Sequence, residues 1–228
     1  MARKGNRRHL KSLAAPEYLG IHRKEEKYVA KANAGRHVAS KSVPILLLLK
    51  KIGIINTRKE CKYVIKEKAI KVNGKVISDY KYPVGIGDIV SIKDTGNYVV
   101  TINTYGKVAF KKVDGEANTS IFKIIRKFRI RNGKLMVQYH NGIISELPQK
   151  YNANVDDSMV VEFPSMALKK LLKLENGSKC LVIDGIHVGI VGEIEEIKKG
   201  QMHTSKTAVI KSSEGSFETP VKNIMVIE

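Results

Sequence analysis

Arg58, Lys62 and Lys66 recur at a spacing of four, which puts three cations on one face of an α-helix, with Lys59 beside them. Guanidinium and ammonium groups in such a row suit one chemistry above others, the neutralisation of phosphate. Cys61, Val64, Ile65 and Ala69 recur at helical spacing on another face, so one side packs and the other is cationic. Thr57 followed by Glu60 has the pattern of a capping box, in which each side chain satisfies the other residue's amide, and it predicts a helix over 57–69. Beyond it, Ile70-Lys71-Val72 and Lys75-Val76-Ile77 flank Asn73-Gly74, the pair preferred where both turn residues need positive φ. That hairpin is expected to set Lys71 and Lys75 near the helix. Residues 57–75 hold seven Lys/Arg and two Glu, a net +5. A lone lysine-lined helix reads as a solvated face; the cap and hairpin favour a phosphate partner.

Other chemistry has little support. Gly85-Ile86-Gly87-Asp88-Ile89-Val90 lacks the third glycine of a dinucleotide fingerprint and follows Tyr82-Pro83, so it reads as a turn before a strand. There is no Walker motif. The six histidines, at 9, 22, 37, 140, 187 and 203, lack metal-ligand spacing. Asp156-Asp157 and Glu195-Glu196 are adjacent pairs whose side chains diverge, which makes them poor acid-base partners. We therefore expect no catalytic residue, metal, cofactor or small-molecule substrate.

The elements that must position these cations belong to a strongly basic chain. Its 228 residues carry 41 Lys+Arg against 22 Asp+Glu, a net +19, which points to a polyanionic partner. Ile45 to Leu49 is the longest block of large aliphatic residues, far short of a membrane span, and the N-terminus lacks an apolar signal-peptide core. With 43% hydrophobic residues, one to three small cores can form. Cys61 and Cys180 lie far apart, which suits a reducing setting better than a disulfide framework.

Charge also divides the chain. Residues 1–41 hold eleven Lys/Arg and three Glu with little apolar periodicity, so they read as an extended arm, ordered only against its partner, that brings Arg3, Lys4, Arg7, Arg8, Lys11, Arg36 and Lys41 to it. Pro44 can open a short helix through Leu49. From Asn97 onward come short β-rich runs with turn signals at 103–106, 132–133 and 141–142. Within them, residues 121–134 carry six cations and no acid. Alternation along a strand would put Lys127, Arg129 and Arg131 on one face and Phe128 and Ile130 on the other, and Lys123, Arg126 and Lys134 complete the six cations. Phosphate contact and simple solubility are equally good explanations of that run. Residues 174–228, with six Lys and eight acids, are slightly acidic.

A basic arm with His9-Leu10-Lys11 and Ala14-Ala15-Pro16, the helix-hairpin unit at 57–92, a β-rich centre and a glycine-patterned C-terminal part together resemble ribosomal small-subunit protein four of the archaeal and eukaryotic type. The similarity spans nearly the whole chain. It implies an α+β, mostly β fold: a basic arm at 1–42, an alpha-L RNA-binding domain at 43–92, a central β domain at 93–172 and a KOW-type, SH3-like barrel at 173–228. In the last, Gly177, Gly185, Gly189 and Gly192 match the KOW pattern, and their role is backbone shape. Departures are Gly35-Arg36-His37 where Gly-Pro-His is usual, Tyr18 near a common Trp, and His187 and Ile190 in place of an Asn and a basic residue. The resemblance implies a ribosome-bound, cytoplasmic structural protein that contacts small-subunit ribosomal RNA and neighbouring ribosomal proteins. Alternatives are an RNA-modifying enzyme with an appended alpha-L domain, or a KOW-containing transcription or translation factor.

Overall fold

The structure, a computed structural model, describes residues 9–38, 41–113, 118–131, 133–148, 150–200, 205–213 and 215–228. Helices α1 (Ile45–Ile52) and α2 (Arg58–Lys66) form where sequence signals are strongest. Pro44 precedes α1 in extended conformation. Gly53, at φ +82°, ends it in a Schellman-type turn, with the amide of Ile54 donating to Leu49 O at 3.1 Å. Ile45, Leu46, Leu48 and Leu49 are buried, each contributing about 1.5–3 kcal/mol of apolar burial. At the start of α2 the capping box is complete: Glu60 N–H donates to Thr57 Oγ1 and Thr57 N–H to Glu60 Oε2, both at 3.3 Å. The Asn56 amide, the Thr57 hydroxyl and the Thr57 amide all donate to the Glu60 carboxyl and hold it below its ordinary range.

The strands, in chain order, begin with β1 (Leu10–Lys11), β2 (Tyr28–Val29) and β3 (Ser42–Pro44). The helix-hairpin unit adds β4 (Ile70–Val72), β5 (Lys75–Val76), β6 (Pro83–Gly85) and β7 (Ile89–Ile92). Two longer strands follow, β8 (Gly96–Ile102) and β9 (Val108–Val113). They complete a sheet of order β5-β4-β7-β8-β9, so the expected division at 92/93 falls inside a sheet. Tyr98, Val100 and Val108 share the first hydrophobic core with α1 and α2.

A central sheet has the order β12-β11-β10-β13-β14, built from β10 (Thr119–Arg129), β11 (Leu135–Tyr139), β12 (Ile144–Glu146), β13 (Ser158–Glu162) and β14 (Ala167–Leu172). Its core centres on Phe122, Ile124, Tyr139 and Met159, and takes in Ile89 from β7. The C-terminal sheet, β18-β17-β16-β15-β19, consists of β15 (Lys179–Val182), β16 (Val191–Lys198), β17 (Thr207–Ser212), β18 (Gly215–Pro220) and β19 (Ile224–Val226) around a third core. Cys61 and Cys180 are buried and unbonded, and burial pushes each thiol up to about 11.

The arm departs from expectation. Instead of an extended tail, the described residues up to 38 pair β1 with β2 and bury Ala15 and Leu19 in the first core. Tyr18 Oη donates to Ser42 O at 2.6 Å, and Ser12 Oγ to Arg23 O at 2.8 Å. The segment then passes as a strap between two glycines: a Cβ at Gly85 would lie 2.3 Å from His37 Nδ1, and one at Gly142 would lie 2.3 Å from Arg36 O. The apolar contacts are few but long-range, which local periodicity does not reveal.

Candidate RNA-binding surface

On α2, Arg58, Lys59, Lys62 and Lys66 are all exposed while Cys61 and Ile65 are buried, the two-faced helix that the spacing predicts. Among the described residues none of these four cations is in an ion pair. Tyr80, which sequence reasoning missed, organises the ridge. Its ring lies under the Arg58 guanidinium at 4.4 Å, with the ammonium groups of Lys62 at 5.6 Å and Lys81 at 5.8 Å, and the Arg58 guanidinium also donates to the Tyr80 hydroxyl. A tyrosine just after a lysine-bearing hairpin, next to Lys81, is the signal that could have found it.

Asn73 and Gly74 take φ of +50° and +76°, as the turn requires. The turn is not a free tip. A Cβ at Gly74 would lie 2.7 Å from Pro164, and Asn73 is buried, its amide donating to Asp88 Oδ1 at 2.7 Å while Ile89 N–H donates to its Oδ1 at 2.9 Å. Lys71 and Lys75 are exposed on the two hairpin strands. Asp88 also accepts from Gly85 N–H at 3.1 Å and bonds His37 Nε2 at 2.6 Å, so one buried carboxylate joins the strap, the hairpin and the turn at 85–88.

The basic run of β10 divides. A bulge between Ile124 and Arg126 breaks its alternation and leaves Ile125 and Arg126 exposed together, while Arg129 at the strand's end and Ile130 and Arg131 beyond it are exposed as well. Lys127 turns inward and donates to Ala153 O at 2.8 Å. Lys123 is no surface cation at all: it is 2% exposed, 2.9 Å from Asp156 Oδ1, and donates to Val221 O at 2.6 Å. Burial pulls its ammonium below the ordinary lysine value, with Asp156 opposing the shift. Charge counting treats all six cations alike, whereas burial separates them.

In the arm, Lys11 is exposed, Arg36 is half-buried in the strap, and Lys41 pairs with Asp184 of the C-terminal unit at 2.6 Å. Arg3, Lys4, Arg7 and Arg8 lie outside the described residues. Among the C-terminal glycines, Gly185 and Gly189 have φ of +96° and +83°. Gly192 instead permits close approach, since a Cβ there would lie 2.5 Å from Lys211 O. Gly189 sits against the β8–β9 turn, where a Cβ would lie 2.2 Å from Asn103 O, and His187 stacks on Phe217 at 4.1 Å.

The S4 domain family matches residues 43–90, which hold both helices and the hairpin, and the RS4NT (NUC023) domain family matches residues 4–40. A relative named small ribosomal subunit protein eS4 from Methanosphaera stadtmanae is 30% identical over 100% of this chain and 95% of its own. Another of that name, from Methanocella arvoryzae, is 33% identical over 96% of this chain and 93% of its own. The crystal structure of the 30S ribosomal protein S4e from Thermoplasma acidophilum superposes with a TM-score of 0.69 at 23% identity, covering 82% of this chain and 95% of that one, and so shares the fold. With full-length relatives at this level of identity, the mostly β chain with its S4 domain belongs to the eS4 family of small-ribosomal-subunit proteins.

Proposed function

We propose that this chain is a non-catalytic constituent of the small ribosomal subunit that binds ribosomal RNA and supports subunit assembly and translation, ribosome-bound in the cytoplasm. The observation that carries the reading is the ridge of Arg58, Lys59, Lys62 and Lys66, exposed on a helix capped at one end and packed on its other face. Four cations that have no carboxylate partner among the described residues release counterions on meeting phosphate, which drives binding without reading sequence. Lys71, Lys75 and Lys11 extend this surface, and Arg126, Arg129 and Arg131 offer a second one on the central sheet. Arg36, Lys41 and Lys127, which have contacts inside the fold, shape the scaffold more than they meet RNA. Arg3, Lys4, Arg7 and Arg8 add cations at the N-terminus. The arm, the S4 unit with β8 and β9 added to its sheet, the central β domain and a KOW-type barrel are the working divisions, and neighbouring ribosomal proteins are the remaining partners.

Chemical footprinting of small-subunit RNA with and without the chain tests this reading. Protection of a defined set of nucleotides, with co-sedimentation that resists moderate salt, is expected. Absence of both would overturn it.

A further inference from the structure

A groove of about 460 Å³ separates β2 from the start of α2 and the segment carrying Tyr80 and Lys81. Its cations come from separate elements: Lys31 beyond β2, Lys50 on α1, Arg58 on α2 and Lys81. Glu26 also lines it, and its carboxylate is engaged by Lys50 at 3.3 Å. Two tyrosines face the same space. Tyr28 is 48% exposed, braced at 5.4 Å by the edge-on ring of His9, and Tyr80 holds Arg58 in place. Asn33 fastens the arm to the far wall, its amide donating to Asp79 Oδ2 at 2.5 Å and its backbone N–H to Lys81 O at 3.0 Å.

A surface that only tracks duplex phosphates needs neither a concavity nor aromatic rings, because the phosphates already project outward. The exposed Tyr28 ring, next to fixed cations, suits an unstacked base joined to its phosphate, since every base offers a π-face and the ring gives up little freedom. We infer that this groove takes one unpaired, extrahelical nucleotide of RNA, its base on Tyr28 and its phosphate between Arg58 and Lys81. The inference rests on the RNA-binding reading and goes beyond it by naming the kind of nucleotide and the arm's part in holding it. Tyr28 lies in the arm and Tyr80 in the S4 unit, so neither segment makes the site alone.

The test uses the full chain and two RNA hairpins of equal charge, one perfectly paired and one with a single bulged 2-aminopurine. The bulged hairpin is expected to bind about 5- to 140-fold tighter, the range that a base–aromatic stack provides, and to lose fluorescence on binding. Tyr28→Leu is expected to abolish the quenching and the preference while leaving affinity for the paired hairpin unchanged; Tyr28→Phe keeps both. A thermal melt checks that each variant folds. Equal affinity of the native chain for the two hairpins, or quenching that survives Tyr28→Leu, would overturn the groove while leaving RNA binding intact. Failure to bind either hairpin would overturn both readings.

Discussion

His37 Nε2 lies 2.6 Å from Asp88 Oδ2 with both side chains almost fully buried, a contact across 51 positions that ties the N-terminal strap to the turn before β7. The same carboxylate satisfies the Asn73 amide and the Gly85 backbone, so its loss strands three donors at once.

Asp88→Ala is therefore expected to destabilise the chain by about 3–5 kcal/mol in urea denaturation, as when a buried pair loses one member. Asp88→Asn, whose oxygen still accepts one bond, is expected to lose less. A loss under about 1 kcal/mol for the alanine variant would show that the hub does not matter to stability.

Acid is expected to weaken the fold through His140. Its Nδ1 accepts from Lys123 N–H at 3.2 Å and its Nε2 is 3.1 Å from Ile86 O, an arrangement that suits the neutral ring. Burial pulls its pKa from 6.5 down to about 4, with the charges of His37 and Lys123 adding to the shift. The unfolded chain thus binds the proton more readily than the folded one. The contribution is complete above about pH 6.5 and lost as pH falls toward 4, up to about 3 kcal/mol at 1.36 kcal/mol per pH unit. Denaturation midpoints at pH 7.5 and 5 are expected to differ more for the native chain than for His140→Gln.

Gly189→Val is expected to unseat the C-terminal unit, because valine must take a φ of +83° and place its Cβ 2.2 Å from Asn103 O. His187→Ala gives up a ring stack on Phe217, about 0.5–1.5 kcal/mol, and keeps the fold. Thermal melts separate the two. A melt for Gly189→Val like that of the native chain would contradict the close packing described for this turn.

Replacing Arg58, Lys62 and Lys66 together by Gln preserves helix propensity and removes three charges. The slope of log K against log salt is expected to shrink by about 2–3, at roughly 0.7–0.9 per phosphate contact. A matched variant at Lys198, Lys199 and Lys206 is expected to change it much less, since Lys198 already pairs with Glu218 at 3.2 Å. Equal slopes would mean that charge acts diffusely and the ridge has no special role.

What could be read from the sequence was local. Thr57 with Glu60, and Asn73 with Gly74, act within one turn of chain, so residue type alone predicts the helix start and the hairpin. The strap could not be read this way. Ala15 and Leu19 are too few to show a period, and His37 meets a carboxylate that only the folded chain brings near. Lys123 and Arg126 look alike in a charge count, yet one is enclosed between the central and C-terminal units and the other faces solvent. Tyr80 carries one local signal, its place after the hairpin beside Lys81, and that signal gains weight only when the fold lays Arg58 over the ring.

The passage of Gly35 to His37 between Gly85 and Gly142 has a consequence for the order of events at birth. Residues 35–37 leave the exit tunnel well before either glycine that will flank them. The cationic leading segment must therefore wait, without its cover, until two later parts of the chain exist to receive it. During that interval Arg36 and His37 lack the two glycines against which they pack in the fold, so a nascent chain of this design leaves its strap unseated until residue 142 has been made.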